Sequence, residues 1–315
     1  MAKTRPQPAE PREIGFVGLG TMGGRIAGRL LAAGYEVYGT NRTRAKAEAL
    51  MERGLRWCET PRDVAAVADV TFSMVIDDDA LRAVTSGPDG ILAGLAERKI
   101  YVDMSTVSPE TSRSLAEQVR SRGARMLDAP VSGGAPQAEE GSLTIMVGGD
   151  EQAFPLVEPL LLELARTVRH VGANGQALVL KLATNISLAV QILALSEGAL
   201  IAERAGISRA LALDVMTNSV IGSPALKARA PLLLEPGRPG WFDMRMMHKD
   251  LQLALETARK LSVPAPSATA TDEVLSTARE LGYEHRDIAA VIEVLDRLSA
   301  SSAGDESRRQ TATPR

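Results

Sequence analysis

The stretch Ile14-Gly15-Phe16-Val17-Gly18-Leu19-Gly20-Thr21-Met22-Gly23 decides the fold. Its first four residues read as an apolar strand, its last six form a G-x-G-x-x-G turn, and residues 24–33 carry helical periodicity. Strand, glycine turn and helix in that order make a seat for a dinucleotide. Gly18 permits the tight turn, Gly20 lets backbone approach a pyrophosphate, and Gly23 allows the helix to pack closely on the strand. The helix N-terminus then presents N–H groups to the anion. A turn of this spacing can also be merely structural, and its place at the first strand of an alternating half is what directs it to a cofactor.

Outward from this turn, short apolar runs alternate with helical patterns as far as Val171, the signature of strands joined by crossover helices in a largely parallel sheet. The expected strands are 14–17, 36–39, 70–75, 100–103, 125–128, 144–147 and 168–171. After Gly175 the pattern turns to long helical periodicity broken at Gly206, Ile221-Pro224, Pro231-Pro239 and Pro264-Pro266. The expected fold class is therefore α/β, a dinucleotide-binding domain over 13–174 followed by an all-α domain over 175–298. Residues 1–12 and 299–315 are polar and read as disordered tails.

Composition limits the partners. The 315 residues are 45% hydrophobic and 24% charged with a net charge of -3, an ordinary globular balance without long-range attraction for nucleic acid or an anionic membrane. An anionic small molecule must be held by local groups. The first dozen residues lack an apolar run of the signal-peptide kind, and the one cysteine, Cys58, cannot form an internal disulfide, so a cytoplasmic protein is expected. Cys58 reads as a small buried hydrophobe. The apolar stretch 177–200 is long enough to raise the membrane question, but Lys181, Asn185, Gln191 and Glu197 interrupt it, and it reads as a buried helix of a soluble protein.

The second expected strand runs into Gly39-Thr40-Asn41-Arg42-Thr43, where an NAD-selective site places an acid for the ribose hydroxyls. Asn41, Arg42 and Thr43 instead offer donors and a cation to a 2'-phosphate, which favours NADP(H) and leaves NAD(H) as the secondary cofactor. Further on, Asp128-Ala-Pro-Val-Ser132-Gly133-Gly134 supplies a hydroxyl and closely spaced N–H groups that could nest a carboxylate. The helix after Gly175 puts Lys181 and Asn185 on one face in apolar company. A lysine there loses hydration of its charged form, which suits it to exchange a proton near neutrality, although lysines in such places also snorkel or pair with a carboxylate. Lys249-Asp250-Leu251 is expected to begin a long helix and to bring a second cation.

Together these stretches resemble the β-hydroxyacid dehydrogenases, from about Glu13 to Leu298. The resemblance rests on five ordered motifs: Gly18 to Gly23; Asp103-Met-Ser105-Thr106-Val; Asp128 to Gly134; Gly172-x-x-Gly175 leading to Lys181-x-x-x-Asn185; and Lys249-Asp250-Leu251. It implies a Rossmann-type domain followed by a helical domain assembled as a homodimer or homotetramer. It implies Lys181 as general acid/base, Ser132, Gly133 and Gly134 on the substrate carboxylate, and Asn185 orienting the substrate. Val75, Ile76 and Thr106 line the cofactor on this reading, and Lys249 lies near nicotinamide and substrate. The family often has a second glycine where this chain has Ala177. Asn41-Arg42-Thr43, Ser223 to Lys227 and Phe242 to Arg245 look closer to its glyoxylate/succinic semialdehyde reductases. The implied reaction is hydride transfer between NADP(H) and a small β-hydroxy acid or its semialdehyde or α-oxo acid.

Two other readings exist. Imine reductases share the fold and the N-R-T loop but generally lack a lysine at position 181, and a non-catalytic cofactor-binding protein would not need Ser132, Lys181, Asn185 and Lys249 together. His170, His248 and His285 show no ligand spacing, so no metal is expected. Asp77-Asp78-Asp79 reads as a solvated turn or helix cap, and Met244, Met246 and Met247 as packing residues.

Overall fold

The computed structural model describes residues 13–299 apart from 236 and 239. The expected tails lie outside the described residues, Ser299 excepted. The chain divides into two compact units between Leu182 and Ala183.

The first unit is built on a sheet of strands β1 (Glu13–Val17), β2 (Glu36–Thr40), β3 (Arg56–Trp57), β4 (Val70–Ser73), β5 (Ile100–Asp103), β6 (Arg125–Asp128), β7 (Val131–Ser132), β8 (Leu143–Gly149) and β9 (Ala165–Gly172). Their order is β3-β2-β1-β4-β5-β6-β8-β7, with β9 also on β8. From β3 to β6 every pairing is parallel, while β8 runs antiparallel to β6 and β7. The strand order reverses at β1, which lies between β2 and β4, so the crevice for a ligand opens at its carboxyl end. Buried side chains cover both faces, as crossover helices require: Ile14, Phe16, Phe72 and Leu127 on one, Val17, Tyr101 and Met126 on the other.

Three features depart from the sequence expectation. Strands β3 and β7 are only two residues long, too short to show alternation. Strand β4 stops at Ser73 rather than Val75, because the Val75 N–H donates to the Ser105 side chain at 3.0 Å and so leaves the ladder.

The helix Gln176–Arg204 begins in the first unit and continues in the second, which also holds helices Arg209–Asn218, Pro224–Leu234, Met244–Lys260 and Pro266–Glu280. Side-chain caps set three of these starts: Ser208, Ser223 and Asp243 accept from the N–H groups of Leu211, Leu226 and Met246. The Asp243 cap corrects one expectation. The fourth helix begins at Met244, so Lys249 lies in its second turn rather than at its start. The long helix is also less covered than expected. Its length and apolar composition would let it cross a bilayer, 44% of its most apolar window is buried, and Ile201 is 72% exposed. Met244 and Met247 are core residues of the second unit, and Met246 is half-buried.

That core surrounds an ion pair. Arg229 donates to Asp287 Oδ1 at 2.6 Å, and both side chains are buried. Asp287 also accepts from the N–H groups of Trp241, Phe242 and Ala289, while Arg229 lies over the Trp241 ring. The carboxylate thus ties three segments together. Removing its cation would leave a charge in a dry environment. Arg229→Ala is expected to lower the unfolding free energy by about 3–5 kcal/mol, read from urea denaturation.

Candidate active site

The glycine turn has the shape of a dinucleotide seat. Gly18 takes a φ of 95°, and a Cβ there would run into the Met74 carbonyl oxygen. At Gly23 a Cβ would run into the Gly18 carbonyl oxygen, and it would lie 2.9 Å from the Phe16 ring. Gly20 differs, for nothing stands within 4 Å of a Cβ built on it. That open space is where a pyrophosphate would approach. Helix Gly23–Ala32 begins without a side-chain cap or an acidic residue in its first turn, so its N-terminal field faces an incoming anion. Thr21 is exposed and Met22 half-buried.

Asn41 does more here than the sequence suggested. Its Oδ1 accepts from the Leu19 N–H at 3.0 Å and its Nδ2 donates to the Thr43 carbonyl at 2.9 Å. The side chain therefore stitches the glycine turn to the loop after β2 and keeps one amide hydrogen for a ligand. Arg42 and Thr43 are exposed on that loop, and Arg44 lies over Trp57 at 5.1 Å. A cavity of about 460 Å³ opens beside the turn, lined in part by Gly20, Arg25, Lys46 and Arg53.

Across the crevice, Val75 is half-buried, Ile76 40% exposed and Thr106 half-buried. Val75 is held through Ser105, whose hydroxyl donates to Asp103 Oδ1 at 2.7 Å. Ser73 donates to the same oxygen at 2.6 Å and bonds to the Tyr101 hydroxyl at 2.7 Å. Asp103 is fully buried, and among the described residues its Oδ2 has no hydrogen-bond partner. Burial above all, opposed by these donors and reinforced by neighbouring Asp128, pushes its carboxyl up to about 6.

Asp128 is the register neighbour of Asp103 on β6 and is likewise buried. Its Oδ1 accepts from the Gly175 N–H at 2.9 Å, Asn174 Nδ2 at 3.1 Å and the Ser112 hydroxyl at 3.2 Å. Six residues after Gly175 comes Lys181, half-buried. Four residues after Asp128 comes Ser132, which lies in β7 opposite Thr144 rather than in a free loop. Gly133 has a φ of 124°, and a Cβ there would sit 2.8 Å from a Leu143 methyl. The Gly134 N–H is committed to Gln137 Oε1 at 2.9 Å, closing the cap of helix Ala135–Glu140. A carboxylate nest here would draw on Ser132 and Gly133 unless Gln137 moves.

In the second unit Asn185 is buried and donates to Asp250 Oδ2 at 2.6 Å. Lys249 Nζ lies 2.9 Å from Asp250 Oδ1, close but not aligned as a hydrogen bond. The cation expected at Lys249 thus comes with a carboxylate beside it. In the sequence Asp250 stands out only as part of the Lys249-Asp250-Leu251 motif, and no local spacing links it to an asparagine 65 residues away. Asp77 caps helix Asp78–Thr85, whereas Asp78 accepts from Ser108 and Thr111 instead of being solvated. Cys58 is half-buried, and burial pushes its thiol up. Among the described residues no three His, Cys, Asp or Glu side chains are grouped to hold a metal.

Residues 13–172 match the NAD-binding domain of 6-phosphogluconate dehydrogenase, and residues 175–295 match the NAD-binding domain of NADP-dependent 3-hydroxyisobutyrate dehydrogenase. Glyoxylate/succinic semialdehyde reductase 1 of Arabidopsis thaliana is 34% identical over 283 residues, 90% of this chain and 98% of that one. The chain belongs to the β-hydroxyacid dehydrogenase family. Two solved structures of similar proteins each match 90% of this chain and 99% of their own. The 3-hydroxyisobutyrate dehydrogenase of Mycobacterium tuberculosis with L-serine has a TM-score of 0.81 at 29% identity, and Psf3 with NADP+ and 2-OPP has 0.83 at 30%. This family member is accordingly an NAD(P)-dependent hydroxyacid dehydrogenase.

The Asp103 carboxyl gives a pH signature. Its folded value, about 6, exceeds its ordinary 3.8, so the native state binds the extra proton between these values. The stabilisation is complete below about pH 4 and is lost as pH rises through about 6, a change on the order of 3 kcal/mol. In Asp103→Asn this fall in unfolding free energy from about pH 4 to 6 is expected to shrink relative to wild type, measured by urea titration across that range.

Proposed function

We propose that this dehydrogenase prefers NADP(H) and interconverts a small β-hydroxy acid with its semialdehyde, or reduces a related α-oxo acid, with Lys181 as the acid/base. The observation that carries the reading is Lys181 itself: a half-buried lysine among apolar neighbours early in its helix, whose start is anchored to the strand that leads to Ser132. The chemistry a bound nicotinamide would supply is the hydride exchanged with the substrate carbon. The Lys181 ammonium stabilises the alkoxide that develops in reduction and delivers a proton to its oxygen, and the neutral amine takes that proton back in oxidation. Ser132 and the Gly133 backbone receive the carboxylate, while Asn185 and Lys249 contact the substrate, Lys249 also reaching toward the cofactor. The solved relative bound to L-serine, itself a β-hydroxy acid, supports this substrate class.

The cofactor preference draws on the missing acid after β2. Asn41 fixes the loop, Arg42 and Thr43 face solvent, and Lys46 adds a cation in the groove that contains Gly20. The protein acts in the cytoplasm as a homodimer or homotetramer on this proposal. The apolar surface left open on the second unit, at Ile201, Leu211, Val215 and Ile221, supports the association.

Two measurements test these assignments. Lys181→Ala is expected to lower kcat by about 10²–10⁴-fold while NADPH still quenches protein fluorescence with an unchanged Kd; near-normal turnover rejects the lysine's role. Asn41→Asp loses the bond to Thr43 and places a negative charge toward the 2'-phosphate. Its ratio of kcat/KM for NADPH over NADH is expected to fall by about 10-fold or more, and an unchanged ratio rejects the preference argument. A panel of short carboxylated aldehydes set against cyclic imines identifies the substrate class.

A further inference from the structure

We propose that Asp128 is a positioning residue for the reaction, fixing the first turn of the Lys181 helix against the strand segment that carries Ser132. The proposal rests on the reading of Lys181 as the acid/base. Its basis is the arrangement around one oxygen. Asp128 Oδ1 gathers three donors from two directions: Ser112, in helix Pro109–Arg120, and Asn174 with the Gly175 N–H, the two residues that precede helix Gln176–Arg204.

The surroundings are shaped for that approach. Gly175 has a φ of 87°, and a Cβ on it would lie 2.9 Å from the Arg113 guanidinium and 3.0 Å from the Pro109 carbonyl. On the opposite side a Cβ at Gly148 would lie 2.9 Å from Asp128 Oδ2 and 2.7 Å from the Ala173 carbonyl. Side chains are excluded on both flanks, so the carboxylate reaches the backbone of the turn directly. Asn174 also donates to the Met126 carbonyl at 3.3 Å, which binds the same turn to β6 a second time.

A carboxylate in this place costs desolvation, and burial, opposed by its donors, holds the Asp128 carboxyl above the usual range. A neutral side chain could fill the volume without that cost. What the charge adds is strength and direction in bonds to the turn, since hydrogen bonds to an ionised acceptor are shorter and about twice as strong as neutral ones. Lys181 follows within two turns, where a small shift of the helix start moves the ammonium directly.

The test is a double-mutant cycle in kcat with a short semialdehyde and NADPH. Asp128→Asn keeps the shape and is expected to lower kcat on the order of 10- to 100-fold, with the NADPH Kd from fluorescence quenching unchanged. In a Lys181→Ala background the same substitution is expected to cost less than about twofold, because the group it positions is gone. Equal losses in both backgrounds overturn the positioning role while leaving Lys181 as the acid/base. Near-normal turnover of Lys181→Ala alone overturns the lysine assignment and this proposal with it. Asn174→Ala, which removes one donor and keeps the carboxylate, provides the milder variant should Asp128→Asn fold poorly; it is expected to lower kcat about threefold in the wild-type background only, and no change there counts against the anchor.

Discussion

The carbonyl oxygen of Met74 stands where a side chain at position 18 would be, and most of the first unit follows from that contact. Strand β1 is hydrogen-bonded on both sides, to β2 and β4, so its chain must leave the sheet at once and turn back over its own end. Only glycine accepts the close approach and the positive φ at that point. The second tight contact, Gly23 on the Gly18 carbonyl, brings the following helix down on the strand. Its N-terminus, which has no side-chain cap, then faces the crevice where the strand order reverses. Backbone N–H groups at that end would receive an anion without the help of net positive charge on the chain.

Beyond the turn, the recurring device is a buried carboxylate that collects donors from separate segments. Asp103 takes hydroxyls from β4 and from the loop after β5; Asp128 joins β6, a helix and a turn; Asp287 joins a helix, a loop and a 3-10 turn. A carboxylate in a dry environment demands partners of defined direction, so these residues specify geometry more than they add stability. Asp250, receiving the Asn185 amide, repeats the device in the second unit. Asp103, Asp128 and Asp250 each lie within a motif identified from sequence.

Periodicity disclosed the long elements because many residues repeat the same preference. The main strands of the sheet and the change to helices after Gly175 were legible for this reason, as was the glycine turn, whose spacing is itself the constraint. Strands β3 and β7 were not, since two residues carry no period and their pairing depends on distant partners. The Met244 helix starts earlier than the Lys249 motif suggests, because an aspartate six residues before that lysine supplies the cap. Side-chain commitments were the least legible layer. Nothing local in the sequence shows that Asn41 bonds a residue 22 positions earlier, or that Gln137 occupies the Gly134 N–H.

Ser132 belongs to a strand, and this has a bearing on recognition. A hydroxyl carried on a mobile loop must be ordered each time a ligand arrives, and that entropy is subtracted from the affinity. Here the ladder to β8 and the glycine that follows hold the backbone of Ser132 in place before any ligand is present. The ordering cost was met once, when the chain folded. A short carboxylated molecule has few atoms with which to offset such a cost, so, with Ser132 in the role proposed above, rigidity at this strand would favour recognition of a very small ligand.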